Sequence, residues 1–423
     1  MIETRPKRKH ERALLIGLEH GGVSKWDLRD SLEELAELAN SAGAEVVDTV
    51  TQKLHKPTAP YYIGKGKAES IKESLQDRQV TSVIFDDELS PAQGRNLEDL
   101  LARKVLDRTQ LILDIFAQRA RSREGRLQIE LAQLQYLLPR LTRMWGHLSR
   151  QTGGIGTRGP GETQLEVDRR RVQERIARLE RELESVRKTR AVQRQGRRRH
   201  QWPVASVVGY TNAGKSTLLN LLTGADVVAE NRLFATLDPT TRSFTLPNKQ
   251  RVLLTDTVGF LRKLPHTLIE SFKATLEEVS EADLLIHIVD LSHPRVDEQI
   301  EAVEDVIKEL DAFGKQTLVV FNKIDNLANR ELAETYVKRF SGSVAISART
   351  GEGVDKLVLA LQQALSSWRL CSRFRIPAKE SALIAEIHRV GHVLELKYED
   401  NDTVIVAHVP PELAKKLDRF AES

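Results

Sequence analysis

The chain is nearly without cysteine: Cys371 is the only one in 423 residues. That excludes a disulfide framework and a cysteine-rich zinc site, and it suits a reducing compartment. The 11 histidines add little metal signal. No apolar run approaches the ~18–20 residues that a membrane span requires; the longest, such as Leu284 to Val289, have strand length. An excess of one charge sign is also missing. The 64 Lys and Arg against 60 Asp and Glu leave a net +4, although 29% of residues are charged, so the placement of charge matters more than its sum. The basic start, Arg5 to Arg12, is followed by an apolar stretch, Ala13 to Leu18, too short for a signal-peptide core and lacking a small-residue cleavage site. A cytoplasmic protein is expected. At ~100–200 residues per domain the length predicts two to four domains and excludes a single small binding module.

From Ala13 the pattern alternates strand-length apolar runs with helical periods. Ala13 to Leu18, Ala44 to Val50 and Val80 to Phe85 read as strands; Asp27 to Ser41, Lys67 to Arg78 and Pro91 to Ala102 read as helices. Such alternation predicts a parallel α/β subdomain over residues 1–120. Within it, Tyr61 to Lys67 carries Gly64, Lys65, Gly66 and Lys67, which could meet phosphate or simply form the turn that opens a helix.

The composition then changes. Gln128 to Arg150 and Glu162 to about Arg190 are helical and highly charged, separated by a glycine-rich stretch, Gly153 to Gly161. Over residues 121–200 this predicts a helical hairpin, a projecting arm with a glycine-rich tip. Many arginines of the second helix have Glu partners three or four residues away, such as Glu174 with Arg178, as on a solvated face. Arg194, Arg197, Arg198 and Arg199 have none and are expected in a flexible basic linker suited to RNA phosphates.

The chemistry lies in residues 201–370. Gly209-Tyr210-Thr211-Asn212-Ala213-Gly214-Lys215-Ser216 follows the apolar strand Val204 to Val208 and precedes the helical Thr217 to Leu222. Backbone N–H groups of such a P-loop turn inward around phosphate oxygens, Lys215 supplies positive charge, and the Ser216 hydroxyl ligates Mg²⁺. The strand Val252 to Thr255 ends at Asp256-Thr257-Val258-Gly259. There a carboxylate can hold Mg²⁺ through water, and the Gly259 N–H can sense a γ-phosphate. The strand Thr317 to Phe321 leads into Asn322-Lys323-Ile324-Asp325. The Asp325 carboxylate can accept the N1 and 2-amino N–H groups of guanine, donors that adenine lacks; Asn322 supports the loop, and the Lys323 stem packs on the base. Val344 to Ile346 ends in Ser347-Ala348-Arg349, whose N–H groups can meet the guanine O6. Between the P-loop and Asp256, a switch threonine must reach Mg²⁺ and the γ-phosphate. Thr236 is the choice, with Thr240 and Thr241 as rivals. The ligands so implied are GTP and GDP. Phe260 occupies the position where many such enzymes place a water-orienting Gln, which predicts slow intrinsic hydrolysis helped by a partner.

Residues 371–423 read as a small α+β domain: helix Ser381 to Arg389, strands His392 to Tyr398 and Thr403 to Val409, and helix Pro411 to Phe420. The fold class is thus α/β: a P-loop G domain, its mostly parallel sheet carrying helices on both faces, preceded by an α/β subdomain and a helical arm and followed by this appendage.

The arm tip Gly153 to Glu162 with Thr163 to Glu166, the turn Tyr62 to Lys67, and Phe234 to Arg242 resemble the HflX family of translation-associated GTPases over almost the entire chain. The resemblance implies a cytosolic GTPase that binds the 50S subunit and, with GTP, splits stalled or idle 70S ribosomes, its arm tip reaching 23S rRNA. RNA contacts would then fall at Gly153, Gly154, Gly156, Arg158, Arg197, Arg198 and Arg199. It implies nucleotide contacts at Gly209 to Ser216 with Thr217; at Phe234, Ala235, Thr236, Leu237 and Asp238; at Asp256 to Gly259; at Asn322, Lys323, Ile324 and Asp325; and at Ser347, Ala348 and Arg349. Lys215, Thr236 and Gly259 would carry catalysis, and Ser216 and Thr236 would ligate Mg²⁺, with Asp256 acting through water. A monomer is expected. The alternative is an RNA-binding assembly protein in which nucleotide is mainly structural.

Overall fold

The computed structural model describes residues 11–21, 25–141, 160–199, 202–224, 233–234, 236–263, 276–366, 370–399 and 402–422. They fall into two compact units that meet in the sequence at Ser185 and Val186.

The first unit begins with β1 (Glu11–Glu19), α1 (Lys25–Ala42), β2 (Ala44–Lys53), α2 (Lys65–Asp77), β3 (Ser82–Phe85), α3 (Pro91–Leu101), β4 (Lys104–Asp107) and α4 (Arg108–Arg119). The strands pair in parallel in the order β2-β1-β3-β4. Ala13 to Ile16 are at most 1% exposed, the continuous apolar run of a parallel strand covered on both faces. Two caps fix helix starts. The Ser90 hydroxyl accepts from Gln93 N while the Gln93 side chain accepts from Ser90 N, and Asp107 accepts from Gln110 N at 2.9 Å; each cap contributes about 1 kcal/mol. No element was expected at β4 or α4. Leu111, Ile112, Leu113, Ile115 and Phe116 of α4 are all buried, and only a narrow strip around Gln110, Asp114 and Gln118 reaches the surface, so the amphipathic period is weak.

Arg108, at the first position of α4, is the largest fully buried side chain of the described residues. Its guanidinium donates to Asp86 Oδ1 at 3.0 Å, to the Ser31 carbonyl at 2.9 Å, and to Glu34. The Ser31 hydroxyl donates in turn to Asp86 Oδ2 at 2.7 Å. This network joins α1, the end of β3 and the start of α4.

The helices α5 (Arg123–Leu137) and α6 (Pro160–Arg199) follow. Leu127, Leu131 and Leu134 pack with Ile176, Leu179 and Leu183. Arg175 forks onto Glu130 at 2.7 and 2.9 Å, and Arg123 lies 4.0 Å from Glu182. Later residues of one helix thus meet earlier residues of the other, so the pair is antiparallel. Three expectations change or go unanswered here. The first helix starts at Arg123, where the Ser122 side chain caps Gly125 N, rather than at Gln128. Gly153, Gly154, Gly156 and Arg158 lie outside the described residues. Arg194 and Arg197 to Arg199 are not in a flexible linker, because α6 runs unbroken for 40 residues to Arg199. Ala191 to Gln195 are compatible with helix, Gly196 alone costs only about 1 kcal/mol, and proline first appears at Pro203. The exposed surface of α6 carries the pairs Arg170–Glu174 and Arg178–Glu182, both at 3.0 Å, as expected of a solvated helix.

The second unit holds a six-stranded sheet built from β5 (Val204–Gly209), β6 (Thr240–Thr245), β7 (Arg251–Asp256), β8 (Leu284–Asp290), β9 (Thr317–Asn322) and β10 (Val344–Ala345). Its order is β10-β9-β8-β5-β7-β6, parallel throughout except where β6 runs against β7. Ile286 and Ile288 of β8 pack with Leu218 of α7 (Lys215–Thr223) and Leu361 of α8 (Val354–Ala364). Val289 packs with Phe321, and with Val296 and Ile300 of a helix over Val296–Glu309. Alternate residues of one strand therefore serve cores on both faces, and the sheet is the middle of three layers. The strand order reverses beside β5, which opens a crevice at the carboxyl ends of the strands. Strand β6 was not expected; it takes in Thr240 and Thr241.

The same unit ends in an antiparallel sheet, ordered β12-β13-β11-β14, of β11 (Leu370–Pro377), β12 (His392–Glu399), β13 (Asp402–Val409) and β14 (Ala421–Glu422). Helices over Ser381–Val390 and Pro411–Leu417 cover its Phe374, Ile376, Ile405 and Ala407 side. On β11, Arg373 and Arg375 alternate with that buried pair and bond to Glu422 of the two-residue β14, neither strand having been expected. No helix among the described residues is long and apolar enough to cross a membrane.

Removing one partner from a buried charge network costs ~3–5 kcal/mol. Arg108→Leu should therefore lower the unfolding free energy of the first unit by that amount. Hydrogen exchange at the β3 and β4 amides measures it, and exchange unchanged from wild type would show the network to be energetically idle.

Candidate nucleotide site

The crevice beside β5 is a cavity of about 490 Å³. Its walls come from five separated segments of the chain. Thr211, Asn212, Gly214, Lys215, Ser216 and Thr217 form the floor; Phe234, Thr236, Thr257 and Gly259 form one side; Asn322, Lys323, Asp325, Asn326, Ala348 and Arg349 form the other. Gly209, Tyr210, Ala213, Leu237, Asp256, Val258, Ile324 and Ser347 are buried behind this surface. Asp238 is half-buried and off the wall, and Ala235 lies outside the described residues.

The P-loop is held by contacts that leave no spare volume. Gly214 has φ +98°, and a Cβ built there would lie 2.2 Å from Asn322 Nδ2. That same Nδ2 donates to the Ala213 carbonyl at 2.8 Å, while Asn322 Oδ1 accepts from Ala348 N at 2.9 Å. One amide thus ties the phosphate loop, the β9 end and the Ser347 loop together. A Cβ on Gly259 would lie 2.7 Å from Thr211 Cα and 2.9 Å from Lys215 Nζ. Phe260 explains the proximity: its N–H donates to the Gly209 carbonyl at 3.1 Å and its carbonyl accepts from Thr211 N at 2.8 Å. Its ring is 2% exposed and turned away from the cavity.

Three oxygens converge at the floor. Ser216 Oγ lies 2.8 Å from Thr236 Oγ1, and both hydroxyls bond to Asp256 Oδ2, at 2.7 and 3.0 Å. The rival threonines go elsewhere: both begin β6, and Thr241 Oγ1 pairs with Thr255 Oγ1 at 3.0 Å. Burial holds the Asp256 carboxyl above its ordinary range, opposed by Lys215 and by the two hydroxyls. Its Oδ1 is buried without a hydrogen-bond partner. A hard divalent cation and its water shell would suit this group of hydroxyl and carboxylate oxygens, with phosphate oxygens completing the coordination. Among the described residues no cluster of His, Cys, Asp and Glu could hold a metal by itself.

Lys215 is buried, and its Nζ donates to the Tyr210 and Gly209 carbonyls at 2.8 and 3.2 Å. Burial lowers its pKa to about 8, against the pull of Asp256. At the base end, Lys323 has φ +65° and its Nζ lies 2.7 Å from Asp290 Oδ2. The Asp325 carboxyl is held below its ordinary range, first by the Ser347 hydroxyl and then by the charges of Arg349 and Lys323.

Three groups near the site escaped the sequence reading. Asp290, which anchors Lys323, could have been noticed as a carboxylate ending an apolar strand. Asn326 follows Asp325 directly and lines the wall. His287 sits inside β8, 3% exposed, and nothing in a run of branched apolar residues marks it.

Residues 29–117, 119–197 and 204–323 match three families described as the GTP-binding GTPase N-terminal region, the GTP-binding GTPase middle region and the 50S ribosome-binding GTPase. A GTPase HflX of Caldanaerobacter subterraneus is 48% identical over 413 residues, covering 98% of this chain and 94% of that one. The chain belongs to the HflX family of GTPases. The HflX of Escherichia coli K12 is 47% identical over 379 residues, covering 89% of each chain. A solved GTP-binding protein of Sulfolobus solfataricus in complex with GDP aligns at 26% identity and TM-score 0.45, covering 84% of this chain and 99% of that one.

Two outcomes follow. Gly214→Ala should weaken guanine-nucleotide binding about 100-fold, the equivalent of 2–3 kcal/mol of backbone and steric strain; titration with a fluorescent GDP measures it, and unchanged affinity would contradict the packing against Asn322. For His287, burial and then the Lys215 charge push the pKa down to about 4. The unfolded chain then takes up a proton near pH 6.5 that the folded chain refuses. Stability falls as pH drops from 6.5 towards 4, by up to ~3 kcal/mol. Chemical unfolding of wild type and His287→Leu at pH 7 and pH 5 should show the smaller loss for the variant; equal losses would refute it.

Proposed function

We propose that this HflX-family chain, a GTP-binding, ribosome-associated GTPase, binds the 50S subunit and in its GTP form separates stalled or idle 70S ribosomes. The observation that carries this is one cleft lined by Ser216 and Thr236 at one end and Asp325 at the other, with both hydroxyls bonded to Asp256 behind the wall; residues 204–323, which hold all of these but Asp325, match the family described as 50S ribosome-binding GTPase. GTP would lie along it, with guanine N1 and its 2-amino group on Asp325 and the triphosphate on the N–H groups of Gly209 to Thr217. Ser216 and Thr236 would hold Mg²⁺, with Asp256 acting through water, and the ion would neutralise charge on the β- and γ-phosphates. Lys215 would exchange its carbonyl partners for phosphate oxygens.

Hydrolysis alone is slow in this reading. Phe260 offers no polar side-chain group and its ring is buried, so the attacking water must be ordered by backbone or by the ribosome. Thr236 and Gly259 report the γ-phosphate, favouring the ribosome-bound form until phosphate leaves. The arm supplies the RNA contacts, through Gly153, Gly154, Gly156 and Arg158 and through Arg197, Arg198 and Arg199. The protein acts as a monomer in the cytoplasm.

GTP turnover with and without 50S subunits or 70S ribosomes, with sedimentation of the same mixtures, tests the reading. Strong stimulation with loss of the 70S peak is expected, and both should vanish in Lys215→Ala and Ser216→Asn. Ribosome binding and splitting indifferent to nucleotide and to these variants would instead favour an RNA-binding assembly protein with structural nucleotide.

A further inference from the structure

The base end of the cleft contains a contact that the guanine-reading role does not explain. Arg349 lies 2.5 Å from Asp325 Oδ2. The two side chains differ sharply in setting: Asp325 is 11% exposed and Arg349 is 72% exposed. A largely buried carboxylate is therefore paired with a long side chain whose remaining surface is in solvent. Arg349 also donates to Asn326 Oδ1 at 3.4 Å, a distance at the limit of a useful hydrogen bond. Most of the guanidinium is thus free to leave, and Asp325 is its principal tie.

The chemistry of the two claimants is closely matched. Guanine presents N1–H and a 2-amino group on one carbon, which is a guanidine edge. Arginine presents the same arrangement of N–H donors around one carbon. Either can satisfy a carboxylate, and the carboxylate that recognises guanine is the one Arg349 holds. We infer that Arg349 is an internal surrogate for the guanine base, a specificity-tuning residue that occupies Asp325 and has to be displaced before nucleotide docks. The inference rests on the proposed reading of Asp325 as the guanine acceptor.

Two consequences distinguish a displaceable surrogate from a side chain that merely lines the wall. A competitor for the site slows association and weakens affinity, since only the fraction of molecules with a free carboxylate binds. It also stabilises the protein without nucleotide and contributes nothing once the base is in place. A side chain that packed on the base would do the reverse, and its loss would speed dissociation.

The test is stopped-flow binding of fluorescent GDP to the full chain, with wild type, Arg349→Ala and Arg349→Lys. Arg349→Ala should bind GDP 3- to 10-fold more tightly, chiefly through a faster on-rate, with Arg349→Lys between it and wild type. Without nucleotide, Arg349→Ala should melt lower than wild type, and the two should melt together once saturated with GDP. A faster off-rate or weaker binding in Arg349→Ala would overturn the inference and make Arg349 a base-packing residue; unchanged kinetics would make the ion pair incidental. If wild type shows no preference for GDP over ADP, the reading of Asp325 itself fails, and the two failures are thereby told apart.

Discussion

The site depends on the side-chain amide of Asn322. Its two bonds, one to the Ala213 carbonyl and one from Ala348 N, cross from the β9 end to the phosphate loop and to the loop after β10. Both partners are buried main-chain groups, and a buried donor or acceptor left unpaired costs ~1–3 kcal/mol. The amide therefore sets how far apart the phosphate end and the base end of the cleft can be. Gly214 has no side chain because that amide fills the space, and Ala213 is fully buried beneath it. Segments more than a hundred residues apart in the chain are aligned by a single planar group with one donor edge and one acceptor edge.

Around this point the electrostatics divide by burial. Asp256 and Lys215 both sit out of water, and each is pushed towards its neutral form while drawing the other back. Asp325 is stabilised as an anion by a hydroxyl and two cations. The phosphate end thus has charges made uncomfortable by desolvation, whereas the base end has a charge already well compensated. Binding a polyanion with its cation relieves the first, and binding a neutral base replaces one set of donors at the second.

Much of this was legible in the residues. The phosphate loop, Asp256, Asn322 and Asp325 each follow a short apolar run, because a buried parallel strand needs one and its carboxyl end is where polar groups emerge. Thr236 could be chosen over Thr240 and Thr241, yet the reason for the choice is tertiary: a β6 strand pairs the rivals away. What stayed hidden has physical causes. Helix α4 exposes only a narrow strip around Gln110, Asp114 and Gln118, so its period is faint. Strands β11 and β14 alternate arginine and glutamate with apolar residues, and the pairing that neutralises those charges links residues far apart in the chain. The extension of α6 to Arg199 was missed because unpaired arginines read as loop, although nothing between Gln193 and Arg199 forbids a helix except a single glycine.

The polar groups lining the cleft hold one another: Lys215 holds the Tyr210 and Gly209 carbonyls, Ser216 and Thr236 hold Asp256, and Arg349 holds Asp325. Loading a ligand is then an exchange of hydrogen bonds rather than a gain of them. The calorimetric enthalpy of loading should be modest for so polar a surface, with the driving force lying in displaced water and the relief of buried charge.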